Sequence, residues 1–219
     1  MPAQPPQSPQ PRPSRPSSRR RSYDQYCAAA RALDAVGDRW TLLIVRELLA
    51  GPRRYTDLHA DLPGVSTDML AGRLKDMESA ALVTRRKLAP PVAAYVYELT
   101  DRGRELLPVL RALAAWGAPA LGELRPTDAV RAHWFAIPLL DVLAGLGAKV
   151  VHVTLDEGEF HVRSGADGRF AYGDGPAPDA EVRLRTDAAT CRALAEGELT
   201  LAEAVESGRA ELTDPVPVP

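Results

Sequence analysis

The residues whose types and spacing could act on another molecule are concentrated between positions 66 and 87. Ser66 is a good helix N-cap, and the apolar residues that follow it recur at helical spacing. The opposite face of this predicted helix is polar, and the cations Arg85, Arg86 and Lys87 come soon after it. Because lysine and arginine neutralise phosphates and release counterions, the segment predicts contact with a nucleic-acid backbone.

The predicted contact residues lie on the outward face of that helix, on its flanks, or in the cationic strand. They are Ser66, Thr67, Asp68, Gly72, Arg73, Lys75, Arg85, Arg86 and Lys87. Gly72 is a poor helix former, but it would let the backbone approach another surface closely. Arg73 and Lys75 alone are typical of any solvated helix; next to the hairpin cations they favour contact with DNA.

The flanking segments indicate the fold that positions these residues. Sequence patterns predict four helices, then a two-stranded hairpin, then a further helix that Thr100 caps. The four helices begin near residues 23, 40, 55 and 66, and the hairpin turns at Pro90-Pro91. This order predicts a winged helix-turn-helix, in which the helix from Ser66 to Ser79 lies in a DNA major groove and the hairpin presses on the flanking backbone.

Several motifs within residues 27–117 strengthen this interpretation: Gly37 shortly before Trp40, then "RYTDL", "LPGVS" with "ML" and "RL" after it, and "YELTDRG". With these motifs the chain resembles the HxlR-type transcriptional regulators. The resemblance implies a fold similar to that of MarR-type regulators and a homodimer formed through the first and last helices. It also implies that the partner is double-stranded DNA with a pseudo-palindromic operator.

Ala28 and Asp38 depart from the family pattern, which often has Cys-Pro at the start of the first helix, where this chain has Cys27-Ala28, and a small residue in place of Asp38. Two interpretations of Cys27 stay open. The helix dipole and Arg31, one turn further on, would favour the thiolate and make Cys27 a redox-responsive residue. Alternatively, Cys27 is a small side chain buried at the dimer contact.

The composition changes after Pro126. Patterns there predict a helix broken by Pro138, a hairpin, a strand, two short helices and a last strand. The stretch "PDAEVRLRTDAATCRALAEGELTLAEAVESGRAEL" resembles sterol-carrier-protein-like domains, over about residues 127–214. The resemblance implies helices packed on a curved sheet, which can enclose an apolar tunnel.

If that tunnel exists, its walls would be apolar residues of the predicted helix and strands. These residues are Trp134, Phe135, Ile137, Leu140, Leu143, Val151, Phe160 and Phe170. The alternative is that they form an ordinary core, because apolar clusters line cores and pockets alike.

Charge is unevenly distributed along the chain, although the net charge is only −2. Residues 1–22 carry five arginines and no acid, whereas residues 127–219 carry 8 cations against 16 acids. The Pro/Ser/Arg-rich start predicts a disordered basic tail, which is either solvated or lies along DNA phosphates.

Other features exclude several classes of protein. Two cysteines are too few for a disulfide framework. Without a long apolar run or a signal peptide, we expect a cytoplasmic protein with no membrane partner. No nucleophile, phosphate-loop or metal-ligand motif appears, so we expect no enzyme, no cofactor and no metal site. The four histidines, among them His133, His152 and His161, are expected at the surface.

Together these observations predict an α+β protein. Its predicted parts are a tail (1–22), a winged helix-turn-helix DNA-binding domain (23–125), a sterol-carrier-like domain (126–214) and a tail (215–219). The predicted function is a dimeric DNA-binding transcriptional regulator whose C-terminal domain senses a small apolar ligand. Two alternatives stay open: a carrier of lipids or hydrophobic metabolites whose winged helix mediates protein contacts, and a regulator whose C-terminal domain is only a structural clamp.

Overall fold

The computed structural model describes residues 22–92, 94–122, 124–125, 127–165 and 168–213. These residues divide into two compact units, the first ending at Gly37 and the second beginning at Asp38. The two predicted tails lie outside the described residues, apart from Ser22. The predicted domain boundary at residues 125–126 falls inside the second unit.

The first unit contains helix α1, Ala28–Val36, which is shorter than the helical pattern that begins near Tyr23. The hydroxyl of Ser22 donates to Asp34 Oδ2 at 2.9 Å, and the backbone N–H of Tyr23 donates to Asp34 Oδ1 at 2.9 Å. These bonds turn the preceding segment back along α1 instead of extending the helix. The bond from Tyr23 also holds the pKa of Asp34 below its usual value.

The second unit begins with a winged helix-turn-helix in the predicted element order. Its elements are α2 (Thr41–Leu49), α3 (Tyr55–Asp61), α4 (Thr67–Ser79), β1 (Val83–Lys87), β2 (Tyr95–Leu99), α5 (Asp101–Arg104) and α6 (Leu107–Gly117). Strands β1 and β2 pair antiparallel and form the wing. The helix predicted from Thr100 is interrupted, because Pro108 lacks an N–H donor and its ring would clash with the carbonyl of Arg104.

Helix α4, which we call the recognition helix, is positioned by its cap and by its apolar face. The hydroxyl of Ser66 accepts a hydrogen bond from the N–H of Met69 at 3.3 Å, so the predicted N-cap is present. Leu70, Leu74 and Met77 are buried, as the helical spacing predicts. Their burial against the rest of the unit leaves the polar face of the recognition helix to solvent.

The rest of the second unit, residues 127–213, which we call the C-terminal half, combines helices with a five-stranded sheet. Its elements are a 3₁₀ turn (Ala132–Phe135), α7 (Ala136–Ala144), β3 (Val150–Leu155), β4 (Gly158–Ser164), β5 (Phe170–Asp174), β6 (Val182–Arg185), α8 (Ala188–Glu196), α9 (Leu201–Glu206) and β7 (Glu211–Thr213). The sheet order is β5-β4-β3-β6-β7, with β3 and β6 parallel. This mixed composition agrees with the predicted α+β class; the sterol-carrier relationship stays a prediction.

Two expectations about the C-terminal half are wrong in detail. Pro138 does not break α7, because it lies in the first helical turn, where its missing N–H needs no partner. Strand β5 was not predicted. It contains Gly173, which weakens the alternating pattern, and the ring of His161 lies over that glycine where a Cβ would have no room.

The histidines differ most from expectation. His133 and His152 are buried, so the prediction of surface positions is wrong for both. His152 lies directly opposite His161 in the β3–β4 pair, and its Nε2 is 2.9 Å from Glu159 Oε2. Within the described residues, no cluster of three or more potential metal ligands is present.

Candidate nucleic-acid interface

The exposed face of the recognition helix carries most of the predicted helical contact residues. Thr67, Asp68, Gly72 and Lys75 are all exposed. A Cβ built on Gly72 would meet nothing within 4 Å, so this side of the helix is open to a close approach. The hydroxyl of Tyr55 donates to the carbonyl of Thr67 at 2.7 Å and fixes the start of the helix.

The three wing cations have different surroundings. The guanidinium of Arg85 lies 4.0 Å from the centroid of the Tyr95 ring, which orients it without neutralising its charge. Arg86 pairs with Glu98 at 3.1 Å, and that hydrogen bond raises the pKa of Arg86. Lys87 is exposed and makes no ion pair with any residue that the structure describes. Arg85 and Lys87 are therefore available to an anion, whereas Arg86 already has one.

Arg73 is half-buried and paired with two carboxylates instead of pointing freely outwards. Its Nη2 atom lies 2.7 Å from Asp38 Oδ2, and its Nη1 atom lies 3.2 Å from Asp76 Oδ2. Asp38 also accepts a hydrogen bond from the N–H of Trp40 at 2.9 Å, next to the start of α2. The Arg73–Asp38 pair therefore ties the recognition helix to α2, and Arg73 is best described as a positioning residue.

This arrangement makes a testable distinction between Arg73 and Lys75. We expect Arg73→Ala to lower the free energy of unfolding by about 1–3 kcal/mol, since Asp38 would lose a partly buried partner. Lys75→Ala should leave the free energy of unfolding nearly unchanged while weakening DNA binding. Urea unfolding and a DNA-binding titration on both variants test this. Equal stability of Arg73→Ala and the parent protein would contradict the positioning role.

Sequence reasoning missed one exposed apolar residue on the recognition helix. Met69, which follows Thr67 and Asp68 in the first turn of the helix, is 46% exposed. Its position in the helical pattern, between the buried Leu70 and the polar face, could have indicated this. An exposed apolar side chain here is suited to contact the methyl group of a thymine.

A cluster of charged and polar residues surrounds Glu47 of α2. Glu47 is fully buried, and its Oε1 accepts from the guanidinium of Arg46 at 2.6 Å and from the indole N–H of Trp134 at 2.9 Å. Its Oε2 lies 2.6 Å from Nε2 of His133. The Arg46 guanidinium also lies 4.1 Å from the centroid of the Trp134 ring. Glu47 thus joins the winged helix-turn-helix to the C-terminal half.

Strand β5 completes the cluster. Asp174 Oδ1 lies 3.4 Å from Nδ1 of His133, and Asp174 Oδ2 accepts from Arg53 at 2.9 Å. The hydroxyl of Tyr172 donates to the carbonyl of Arg46 at 2.8 Å. We call Arg46, Glu47, Arg53, His133, Trp134, Tyr172 and Asp174 the charged cluster. It was not predicted, because its members are far apart in the chain.

The pKa values within the charged cluster shift towards the ionised forms. Burial alone would raise the pKa of Glu47, but the hydrogen bond from His133 and the charge of Arg46 outweigh it and lower that pKa. Burial alone would lower the pKa of His133, but the carboxylates of Asp174 and Glu47 outweigh it and raise that pKa. The hydrogen bond from His133 lowers the pKa of Asp174 to about 2.

The predicted ligand-pocket residues occupy two kinds of position. Ile137, Leu140, Leu143, Val151 and Phe160 are buried, and Trp134, Phe135 and Phe170 are half-buried. Among the eight, Phe170 alone borders a depression of about 450 Å³ on the described residues, which Lys149 and Ser164 also line. Trp134 instead belongs to the charged cluster.

Cys27 is exposed at the N-cap of α1 and its side chain makes no capping hydrogen bond. Cys191 is buried, and burial raises the pKa of its thiol to about 12. Within the described residues, no helix is both long and apolar enough to cross a membrane.

Comparisons with known proteins find relatives for the helix-turn-helix part of the chain. The profile of the HxlR-like helix-turn-helix family matches residues 35–124. YvaP, an uncharacterized HTH-type transcriptional regulator of Bacillus subtilis, is 36% identical over 86 residues, which are 39% of this chain and 80% of YvaP. The HTH-type transcriptional regulator YodB of the same organism is 35% identical over 39% of this chain and 76% of YodB. A structure of reduced YodB superposes with a TM-score of 0.40 at 31% identity, covering 48% of this chain and all of that one.

The chain therefore belongs to the HxlR-like helix-turn-helix family. Its relatives are transcriptional regulators and not enzymes, which confirms the expectations of a transcriptional regulator and of no enzyme. The homodimer and the apolar ligand stay predictions.

Proposed function

We propose that this protein is a sequence-specific DNA-binding transcriptional regulator that acts as a homodimer on a pseudo-palindromic operator. The observation that carries the proposal is the combination of an open, polar recognition helix with a wing whose Arg85 and Lys87 pair with no carboxylate in the described part of the chain. Family membership supports the same conclusion.

Each predicted contact residue has a role in this proposal. Lys75, Arg85 and Lys87 contact phosphates, and Gly72 allows the helix to approach the groove. Asp68 and Thr67 face base edges, where a carboxylate can accept a hydrogen bond from the amino group of cytosine. Ser66 caps the recognition helix, whereas Arg73 positions it and Arg86 stays paired with Glu98.

The experiment that tests DNA binding is selection of genomic fragments with the purified protein, followed by affinity measurements at several salt concentrations. A regulator of this kind should enrich a small set of fragments and lose affinity steeply as salt rises. Failure to bind any fragment, together with retention of hydrophobic ligands, would instead favour the carrier alternative.

The dimer has support from helix α6. Val109, Leu113 and Trp116 follow helical spacing along one face, and all three are exposed, Trp116 to 85%. Such a contiguous apolar stripe on a helix is typical of a protein–protein contact. Leu33 of α1 is also exposed, in agreement with a dimer formed through the first and last helices.

We expect Trp116→Glu to convert the dimer to a monomer, because a carboxylate buried in an apolar contact has no partner. Light scattering coupled to size exclusion measures the mass. Val205→Glu on α9 is the matched control, since Val205 is also exposed, to 38%. A Trp116→Glu protein that keeps the parent's dimeric mass would show that α6 is not the interface.

For the C-terminal half, we propose a clamp that holds the winged helix-turn-helix through the charged cluster. Sensing of a small apolar ligand is the second candidate, favoured by the depression beside Phe170. Operator affinity measured with a panel of lipophilic metabolites separates the two, because a clamp alone predicts no response to any of them.

A further inference from the structure

The ring of His133 lies between two carboxylates that come from different parts of the chain. Nε2 is 2.6 Å from Glu47 of α2, and Nδ1 is 3.4 Å from Asp174 of β5. A neutral imidazole carries one N–H and can donate to only one of them, whereas an imidazolium donates to both. The geometry therefore favours the charged ring.

The two carboxylates differ in how well they can respond to loss of the proton. Glu47 is fully buried and is also held by Arg46 and Trp134. The Asp174 side chain is 39% exposed and can turn towards water. A neutral His133 would therefore keep its single N–H on Glu47, and its bare Nδ1 would face Asp174 without attraction.

Asp174 connects His133 to the wing through one residue. Its Oδ2 accepts from Arg53 Nη2 at 2.9 Å, and its N–H donates to the carbonyl of Ala50 at 3.2 Å. The backbone of Arg53 pairs in both directions with Tyr97 of β2, with N–O distances of 3.0 and 2.8 Å. If Asp174 moves away, Arg53, which flanks the wing, loses the hydrogen bond between its guanidinium and that carboxylate.

Other charged or titratable groups on the elements around His133 are engaged elsewhere. They form pairs or caps as follows: Arg131 with Asp61, Asp141 with Arg111, Glu159 with His152, His161 with the carbonyl of Gly175, Arg163 with Asp179, Asp187 with the N–H of Thr190, and Arg192 with Glu196. Burial raises the pKa values of Tyr172 and Cys191, so both stay neutral.

We propose that His133 is a proton-operated latch: protonated, it holds Asp174 against Arg53 and steadies the wing, and deprotonated, it releases Asp174. Operator affinity then falls as pH rises. This second consequence rests on the proposed function, whereas the latch itself does not.

The sign of the pH dependence follows from the direction of the His133 shift. The flanking carboxylates outweigh burial and raise the folded-state pKa above the ordinary value of 6.5. The stabilisation is therefore complete below pH 6.5 and is lost as pH rises through the folded-state pKa. In that window the folded protein holds up to one more proton than the unfolded protein. The ratio of folded to unfolded protein therefore falls by up to about tenfold per pH unit as pH rises.

The latch is tested without DNA by comparing the parent protein with Asp174→Asn between pH 6 and 9. Asparagine can donate its amide N–H to a neutral Nδ1 and still accept from Arg53, so the variant no longer needs the proton. Asp179→Asn is the matched control, because Asp179 also pairs with an arginine, Arg163, in the same half.

Urea unfolding should show the folded-to-unfolded ratio falling with pH in this window for the parent and Asp179→Asn, with a distinctly smaller fall for Asp174→Asn. NMR of the ring, assigned through His133→Gln, should show a pKa above 6.5. Equal pH slopes for the parent and Asp174→Asn would overturn the latch.

DNA affinity tests the link to the wing, at fixed ionic strength and at pH 6.5 and 8.5. We expect the parent to lose about fivefold or more in affinity across this range and Asp174→Asn to lose much less. The variant retains all four histidines, so their background titration cancels. Equal losses would overturn the link to the wing, whereas no DNA binding at either pH would overturn the proposed function and leave the unfolding result standing.

Discussion

Replacing Lys75, Arg85 and Lys87 together with alanine should weaken DNA binding by roughly 100-fold or more near physiological salt. Each of these side chains is proposed to neutralise one phosphate, and none of them pairs with a carboxylate among the residues that the structure describes. Because phosphate contacts carry no sequence information, the loss should be similar for operator and non-operator DNA. Fluorescence anisotropy over a range of salt concentrations gives both the affinity and the salt dependence.

The salt dependence makes this test specific. Loss of three phosphate contacts per protomer should lower the slope of log affinity against log salt by about 0.9 for each contact. The matched control replaces Arg185, Arg192 and Arg209, three exposed cations of the C-terminal half, with alanine. The assignment would be wrong if the control triple weakened binding as much as the first triple did.

Glu47→Ala should lower the free energy of unfolding by about 3–5 kcal/mol, the second large effect that we expect. The buried imidazole of His133, the indole N–H of Trp134 and the guanidinium of Arg46 would all lose their common acceptor. Their desolvation would no longer be offset, since Glu47 and His133 are both buried. Urea unfolding monitored by tryptophan fluorescence measures the change.

Two further variants separate the possible causes. Glu47→Gln keeps an oxygen for Trp134 and can donate its amide to a neutral His133, so its destabilisation should be smaller. Glu98→Ala removes a carboxylate from the exposed pair with Arg86, and little change is expected because water screens exposed pairs. If Glu47→Ala were as stable as Glu98→Ala, the charged cluster would not be what holds the C-terminal half.

The exposed and the buried charges of the second unit have different proposed roles. The recognition helix and the wing present charge to solvent, whereas α2 carries a buried carboxylate to the C-terminal half. A change at His133 or Asp174 can therefore reach the wing without any alteration of the contact residues. If the proposed latch operates, the C-terminal half acts on DNA binding whether or not it binds a ligand.

The amino-acid sequence by itself determined the features that depend on neighbours in the chain. Ser66 and Thr100 cap helices as predicted, because a cap bonds an N–H only three residues away. Leu70, Leu74 and Met77 are buried because helical spacing alone places them on one face. The wing follows from two nearby strands on either side of Pro90-Pro91.

Only the tertiary structure decided which charged residues are free and which are paired. Arg73 and Asp38 are 35 residues apart, and Glu47 and His133 are 86 apart. No periodicity links positions at such separations, so sequence patterns treat Arg73 as a DNA contact and His133 as a surface residue. The structure contradicts the surface position of His133 and adds a partner, Asp38, to Arg73. A charge removed from water must find a partner, and the fold alone determines which one lies within reach.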